Sequence, residues 1–225
     1  MSDLADDQLP ADPMAHARRW FDEATATRDV PNPNAMTLVT VGDDGRPSAR
    51  IVLCKHFVAD PGYLVWFTNY DSRKGRELAG HGVACAVLHF DHAGRQIRVE
   101  GPVVRSPADE SDTYYSSRPW QSQIGARASR QSAPIDSRAE LIAQTRAEAA
   151  RFDLPDPVTT PLASADRPIP RPANWGGYRL WAEHIELWCD GHARLHDRAR
   201  WSRALEPHAE TGFVAGAWAG QRLQP

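Results

Sequence analysis

The sequence predicts an α+β protein with a largely antiparallel sheet or barrel and flanking helices. Three observations predict it. β-Branched and aromatic runs crowd the first hundred residues and the last fifty, helical spacing falls between and around them, and no strand-crossover-strand series suggests a doubly wound sheet. With 225 residues, 41% hydrophobic and 24% charged, the chain can fill one sizeable core and reads as a single domain over 1–225.

Residues 1–12 are polar and read as a loose N-terminal arm. Asp12-Pro13 then starts a helix on which Met14, Ala17, Phe21 and Ala24 recur at helical spacing, and Pro31-Asn-Pro33 ends it. Residues 35–41 read as a strand joined through Asp43-Asp-Gly45 to a run from Ser48. Runs 51–57 and 63–68 are hinged at Ala59-Asp-Pro-Gly62, and a helix from Ser72 reaches about residue 81. Residues 83–90 and 95–105 form a second hairpin across Asp91-His-Ala-Gly94. A capped helical start at Ser106 opens an apolar-poor stretch expected to pack poorly by itself. A helix over about 137–152 follows, with Leu141, Ile142, Thr145 and Ala149 on one face. The Pro-rich connection 154–172 has no periodicity and reads as an ordered surface segment or a flexible arm. Residues 178–181, 185–189, 193–201 and 212–218 read as short strands.

Charge and cysteine content narrow the function. A net charge of −3 supports no general nucleic-acid or membrane surface, so any anion site is a local cluster. Cys54, Cys85 and Cys189 are odd in number and far apart, which suits reduced, mostly buried thiols. The acidic start MSDLADDQLPADP lacks an apolar leader and no eighteen apolar residues run together, so a cytoplasmic location is expected. His89 and His92 flank Asp91 at a hairpin tip, a polar turn rather than a metal site, and no metal is expected.

The candidate chemistry is cationic. Among 26 Lys+Arg there are two lysines, Lys55 and Lys74, and both fall within 48–75 beside Arg50, Asn69, Ser72 and Arg73. Ser72 as N-cap would leave amides and the positive helix end facing outward, where Arg73 and Lys74 work against the dipole unless an anion joins them. In the stretch ARLHDRARW, a strand would put Arg194, His196 and Arg198 on one face, either a solvated rim or a wall against an anionic ligand. Tyr114, Arg118, Ser122, Gln123, Gln131 and Ser132 supply further donors in a stretch, 116–132, without Glu or Lys. No GxGxxG after a strand, Walker loop, GxSxG elbow or HExxH is present. A phosphorylated aromatic cofactor fits this inventory better than hydrolysis does.

Taken in order, LPADP, PNAM, SARIVLCK, FTNYDSRKG, RQIRVEG, ESDTYYSSRP, SQIGARASRQS, WGGYR, IELW and RLHDR resemble the pyridoxine/pyridoxamine 5'-phosphate oxidase family, FMN-dependent enzymes on a split β-barrel. The resemblance covers nearly the whole chain. It implies FMN held by Arg50, Ile51, Val52, Leu53, Lys55, Thr68, Arg73, Lys74, Gln96, Gln131, Ser132, Trp188 and Arg198. It also implies a substrate phosphate held by Lys55, Tyr114, Arg118 and Ser122, and Arg194 and His196 over the pyridine ring as the catalytic pair. The implied reaction converts pyridoxine 5'-phosphate or pyridoxamine 5'-phosphate to pyridoxal 5'-phosphate while O2 becomes H2O2, in a homodimer whose subunits share each site. One departure stands out: MSDLADDQ replaces the Arg- and Tyr-bearing arm that family members carry before LPADP. A relative oxidising another reduced aromatic, such as a dihydrophenazine carboxylic acid, is the runner-up reading, and a non-catalytic flavin-binding barrel the third.

Overall fold

Asp12 caps the first helix as its place before Pro13 predicts: its carboxylate accepts from the Met14 and Ala15 amides at 2.9 and 3.4 Å, and α1 spans Pro13–Ala26. Trp20 completes the buried face that Met14, Ala17, Phe21 and Ala24 foretell. The computed structural model describes residue 4 and residues 8–27 and 30–225. Half of the arm expected to be loose, residues 1–3 and 5–7, therefore lies outside the described residues. Leu4 is buried and its carbonyl accepts from Arg222 at 2.6 Å, while Trp201 Nε1 donates to the Pro10 carbonyl at 2.9 Å.

After α1 come β1 (Ala35–Val41), β2 (Pro47–Leu53), β3 (His56–Val58), β4 (Tyr63–Asn69), α2 (Arg73–His81), β5 (Val83–Phe90) and β6 (Arg95–Arg105). Three helices follow, α3 (Ala108–Ser116), α4 (Trp120–Ala128) and α5 (Arg138–Ala150). The chain ends in β7 (Trp175–Trp181), β8 (His184–Cys189), β9 (Asp197–Ser202), β10 (Leu205–His208), β11 (Gly212–Ala215) and β12 (Ala219–Arg222). Two compact units result, one of Met1–Trp66, Gly80–Val104 and Arg179–Pro225, the other of Phe67–Ala79 and Arg105–Tyr178.

The first unit holds a sheet in the order β12-β9-β8-β6-β5-β1-β2, its neighbours antiparallel. Alternation sends Met36, Leu38, Ala86, Leu88, Ile97, Val99, Ile185 and Leu187 into the core. α1 packs on β3 and β8, with the Phe21 and Phe57 rings 5.3 Å apart.

Three strand readings need correction here, the simplest being 212–218: β11 ends at Ala215, and β12 starts only at Ala219 after three residues outside any strand. Residues 51–57 are not one strand: β2 pairs with β1, β3 pairs with β4, and the chain changes partner at Cys54-Lys55. Backbone bonds pin the break, Cys54 N–H to the Asn34 carbonyl at 2.9 Å and Lys55 N–H to the Val65 carbonyl at 2.7 Å. Residues 193–201 are not one strand either. His192–Arg194 form a single 3-10 turn in which Ala193 and Arg194 have φ of 56° and 64°, and β9 begins only at Asp197. Arg194, His196 and Arg198 therefore do not share a strand face.

The second unit is mainly helical. Ser72 Oγ accepts from the Gly75 amide at 3.3 Å, the capping contact expected at the start of α2. α3 begins at Ala108 behind Pro107 with no side-chain cap, so the cap expected of Ser106 is absent. The stretch expected to pack poorly builds a core instead: Tyr115, Trp120, Ile124, Ala149, Ile169 and Trp175 form one buried cluster. Aromatic bulk replaces the aliphatic count that the sequence lacks. On α5 the face centred on Leu141 is half-open, and Ala149 is its buried member. The Pro-rich connection is ordered, with Ile169 buried in the cluster.

Candidate functional site

Lys74 sits in the first turn of α2, 8% exposed, and its ammonium donates to Gln131 Oε1 at 2.8 Å, Thr68 Oγ1 at 3.1 Å and Ser72 Oγ at 3.3 Å. Thr68 Oγ1 in turn donates to Gln131 Oε1 at 3.0 Å. Three of the residues assigned to the cofactor thus meet through hydrogen bonds in the second unit. A cation brought this deep is costly unless its donors are satisfied, and neutral oxygens leave its charge intact. Arg73 is exposed and donates to Glu77 Oε1 at 2.8 Å, so the helix supplies part of the compensation that an anion was expected to provide.

Next to this cluster, Asn69, Arg118, Ser122, Gly125, Ala126, Ser129, Gln131 and Trp175 line a cleft of about 310 Å³. Its lining carries no carboxylate among the described residues. The Arg118 guanidinium lies over the Trp175 ring at 4.8 Å, and its buried Nη1 has no hydrogen-bond partner among the described residues. Burial pulls its pKa down, although an arginine keeps its charge at neutral pH. Tyr114 is placed by aromatic packing, its ring stacked on Phe67 at 4.0 Å, with Trp175 5.7 Å from Phe67 and 6.2 Å from Tyr114. Ser132 is exposed, with φ of 73°.

In the first unit, Gln96, Trp188 and Arg198 line a second cleft of about 290 Å³ with His89, Arg98, Glu186 and Pro225. Gln96 lies opposite Trp188, and Trp188 opposite Arg198, on neighbouring strands. Buried Glu186 binds both Arg198 Nε and Arg98 Nη2 at 2.7 Å. That bond holds the Arg198 pKa above its ordinary value. The sequence reading missed Glu186, whose signal was a carboxylate inside the apolar run IELW; it also missed Trp175 and Arg98.

His196 lies tilted against Trp188 at 41°, with centroids 4.7 Å apart, and its Nδ1 is 3.1 Å from both the Gly191 amide and Asp190 Oδ1. Arg194 is exposed in the preceding turn. Arg50 reaches back across the sheet, Nη1 to Thr40 Oγ1 and Nη2 to Ser48 Oγ, both at 2.5 Å. Ile51 is 65% exposed on the edge strand, Val52 and Leu53 are half-buried, and Lys55 stands at the break between β2 and β3.

Residues 21–152 match the family described as Pyridoxamine 5'-phosphate oxidase, and residues 175–225 match the Pyridoxine 5'-phosphate oxidase C-terminal dimerisation region. The chain belongs to the pyridoxine/pyridoxamine 5'-phosphate oxidase family. Proteins named pyridoxine/pyridoxamine 5'-phosphate oxidase from Burkholderia lata and Herminiimonas arsenicoxydans are 47% and 44% identical to it. The alignments cover 95% and 100% of this chain, and 89% and 94% of those relatives. Among solved structures, PhzG from Burkholderia lata 383, in complex with tetrahydrophenazine-1-carboxylic acid, aligns at 28% identity and TM-score 0.78, covering 97% of this chain and 95% of that one. A pyridoxamine 5'-phosphate oxidase-related, FMN binding protein from Nostoc punctiforme shares the fold at 15% identity and TM-score 0.67, covering 97% of this chain and all of that one. The predicted α+β split barrel with flanking helices is therefore the family's fold. Among the described residues, no helix of this oxidase-family chain is long and apolar enough to cross a membrane.

Proposed function

We propose that this chain is an FMN-dependent oxidase that converts pyridoxine 5'-phosphate or pyridoxamine 5'-phosphate to pyridoxal 5'-phosphate, with O2 reduced to H2O2, in a homodimer. The observation that carries the reading is Arg118: a buried guanidinium nitrogen without a hydrogen-bond partner among the described residues, in a cleft shared with Ser122 whose described lining holds no carboxylate. A phosphate monoester answers both features, because it brings charge and several acceptor oxygens to donors already desolvated. Lys55 and Tyr114 are assigned to the same phosphate.

The donor set also fits FMN. Lys74, held by Thr68 and Gln131 at a helix N-terminus, is a ready partner for the flavin phosphate. Arg50, Lys55, Arg73, Gln96, Ser132 and Arg198 are the other polar residues assigned to it, together with Ile51, Val52, Leu53 and Trp188. When bound, FMN supplies a two-electron acceptor for oxidation of the substrate's C4' carbon. The chain's own part is orientation: Arg118 and Ser122 fix the phosphate end, His196 hydrogen-bonds a ring substituent, and Arg194 restrains the ring. The family match over 175–225 supports the dimer.

The dihydrophenazine reading draws on the likeness to PhzG. Against it, the Burkholderia lata protein named for the vitamin phosphates is 47% identical to this chain, whereas PhzG of that organism is 28% identical. The test is the visible spectrum of the purified protein followed by peroxide release with pyridoxine 5'-phosphate, pyridoxamine 5'-phosphate and tetrahydrophenazine-1-carboxylic acid. Yellow protein and peroxide from the phosphates are expected. Peroxide from the tricyclic acid alone would overturn the reading, and colour without peroxide from any of the three would leave a binding module.

A further inference from the structure

Residues 153–174 fall between the two stretches that match the family, 21–152 and 175–225. They are nonetheless fastened to the second unit by several side-chain hydrogen bonds. Gln121, 8% exposed, points its carboxamide into this segment: Nε2 donates to the Pro161 carbonyl at 2.5 Å and the Thr160 carbonyl at 3.3 Å, and Oε1 accepts from the Ala163 amide at 3.2 Å. One turn of backbone adds to it, since the Trp120 amide donates to the Ala163 carbonyl at 2.9 Å. Three further clamps hold the segment's flanks: Arg146 to Asp156 at 2.7 Å, Arg127 to the Pro170 carbonyl at 2.7 Å and Arg171 to Asp112 at 2.7 Å.

The place of attachment matters more than the number of bonds. Gln121 lies in the first turn of α4 between Arg118 and Ser122, the two side chains assigned to the substrate phosphate. The Ser122 amide donates to the Pro119 carbonyl at 2.9 Å, and buried Gln123 donates to the Arg118 carbonyl at 2.8 Å, so this turn moves as one piece. A carboxamide that donates to two carbonyls and accepts from one amide reads direction as well as distance, and a carboxylate cannot replace its donors.

We propose that the Pro-rich segment is a brace for the phosphate end of the site, and that Gln121 is a positioning residue that sets Arg118 and Ser122 through it. The inference rests on the oxidase reading above. Conformational restriction by the prolines makes the brace stiff before it docks, so little entropy is lost in holding α4.

The test is Gln121→Glu in the full-length holoenzyme, with pyridoxine 5'-phosphate as substrate. A carboxylate facing the Thr160 and Pro161 carbonyls repels them; KM is expected to rise about tenfold, the scale of a small misplacement of binding groups, with kcat within about twofold. Flavin content stays at the wild-type level. Ala163→Pro, at an exposed position, removes the brace's own donor to Gln121 and is expected to raise KM in the same direction, which keeps the question open to test should Gln121→Glu not fold. A merely structural role would lower the melting temperature and flavin content of both variants without the KM-against-kcat split. Unchanged KM in a folded, flavin-loaded variant overturns the brace; absence of turnover in the wild type overturns the oxidase reading instead.

Discussion

Arg118 is the residue on which the proposed substrate class turns. Its unpartnered Nη1 and its seat over Trp175 mean that removing the side chain deletes the charge without stranding a carboxylate in the cleft. Arg118→Ala is expected to raise KM for pyridoxine 5'-phosphate roughly 10–100-fold, from the 1.5–3 kcal/mol of a hydrogen bond to a charged group, and steady-state kinetics check it. An unchanged KM would remove Arg118 from the phosphate. At this scale some residues named together from the sequence do meet in the fold, Lys74 with Thr68 and Gln131. Two lysines in a chain rich in arginine singled out Lys74, and the structure gives it the buried, oxygen-lined setting that a fixed ammonium needs. Glu186 was not legible as a partner, because its role depends on β8 lying between β6 and β9, which places it against Arg98 and Arg198 at once. Pairing across strands is a property of sheet order, and sequence spacing within one strand does not encode it.

Among the elements, those whose signals are local came through unchanged. α1 has its Asp cap and Pro start, and β1, β5 and β6 match their alternating runs residue for residue. Failures came where non-local pairing overrode a continuous run: 51–57 breaks because its two halves bond to different strands. The turn at 191–195 failed for another reason. Gly191 lies against the chain's own return, so that an added Cβ would fall 1.9 Å from the Leu195 carbonyl oxygen, and no periodicity announces such an approach. Gly191→Ala therefore forces the turn open and displaces Arg194 and His196 while leaving the sheet intact. The expected result is yellow, folded protein with kcat/KM for pyridoxine 5'-phosphate reduced about a hundredfold, the cost of misplaced catalytic groups. Wild-type kcat/KM in a flavin-loaded variant would detach the turn from the chemistry.

Across the molecule as a whole, burial tightens the hold on an acidic proton in each unit. Burial pushes the Cys54 thiol from 9.0 up to about 12 in the first unit, and the Tyr115 phenol from 10.0 up to about 12 in the second. Both are acids whose neutral form is favoured by folding, so the unfolded chain releases these protons at lower pH than the folded one. Their contribution is fully present below pH 9 and is lost as pH climbs toward 12. The composition alone anticipated buried cysteines but could not say which thiol lies where strands exchange partners, since that depends on Asn34 and Val65 meeting Cys54-Lys55 across the fold. Urea midpoints at pH 8 and at pH 11 should therefore differ, with lower stability at the higher value. For Cys54, one proton per molecule sets a slope of at most about 1.4 kcal/mol per pH unit between the two pKa values. Cys54→Ala should be less stable at pH 8, where a small cavity is its main effect, yet lose less on going to pH 11. Equal losses in the variant and the parent would show that the alkaline weakness arises elsewhere, and that the thiol is not held neutral by its place at the strand exchange.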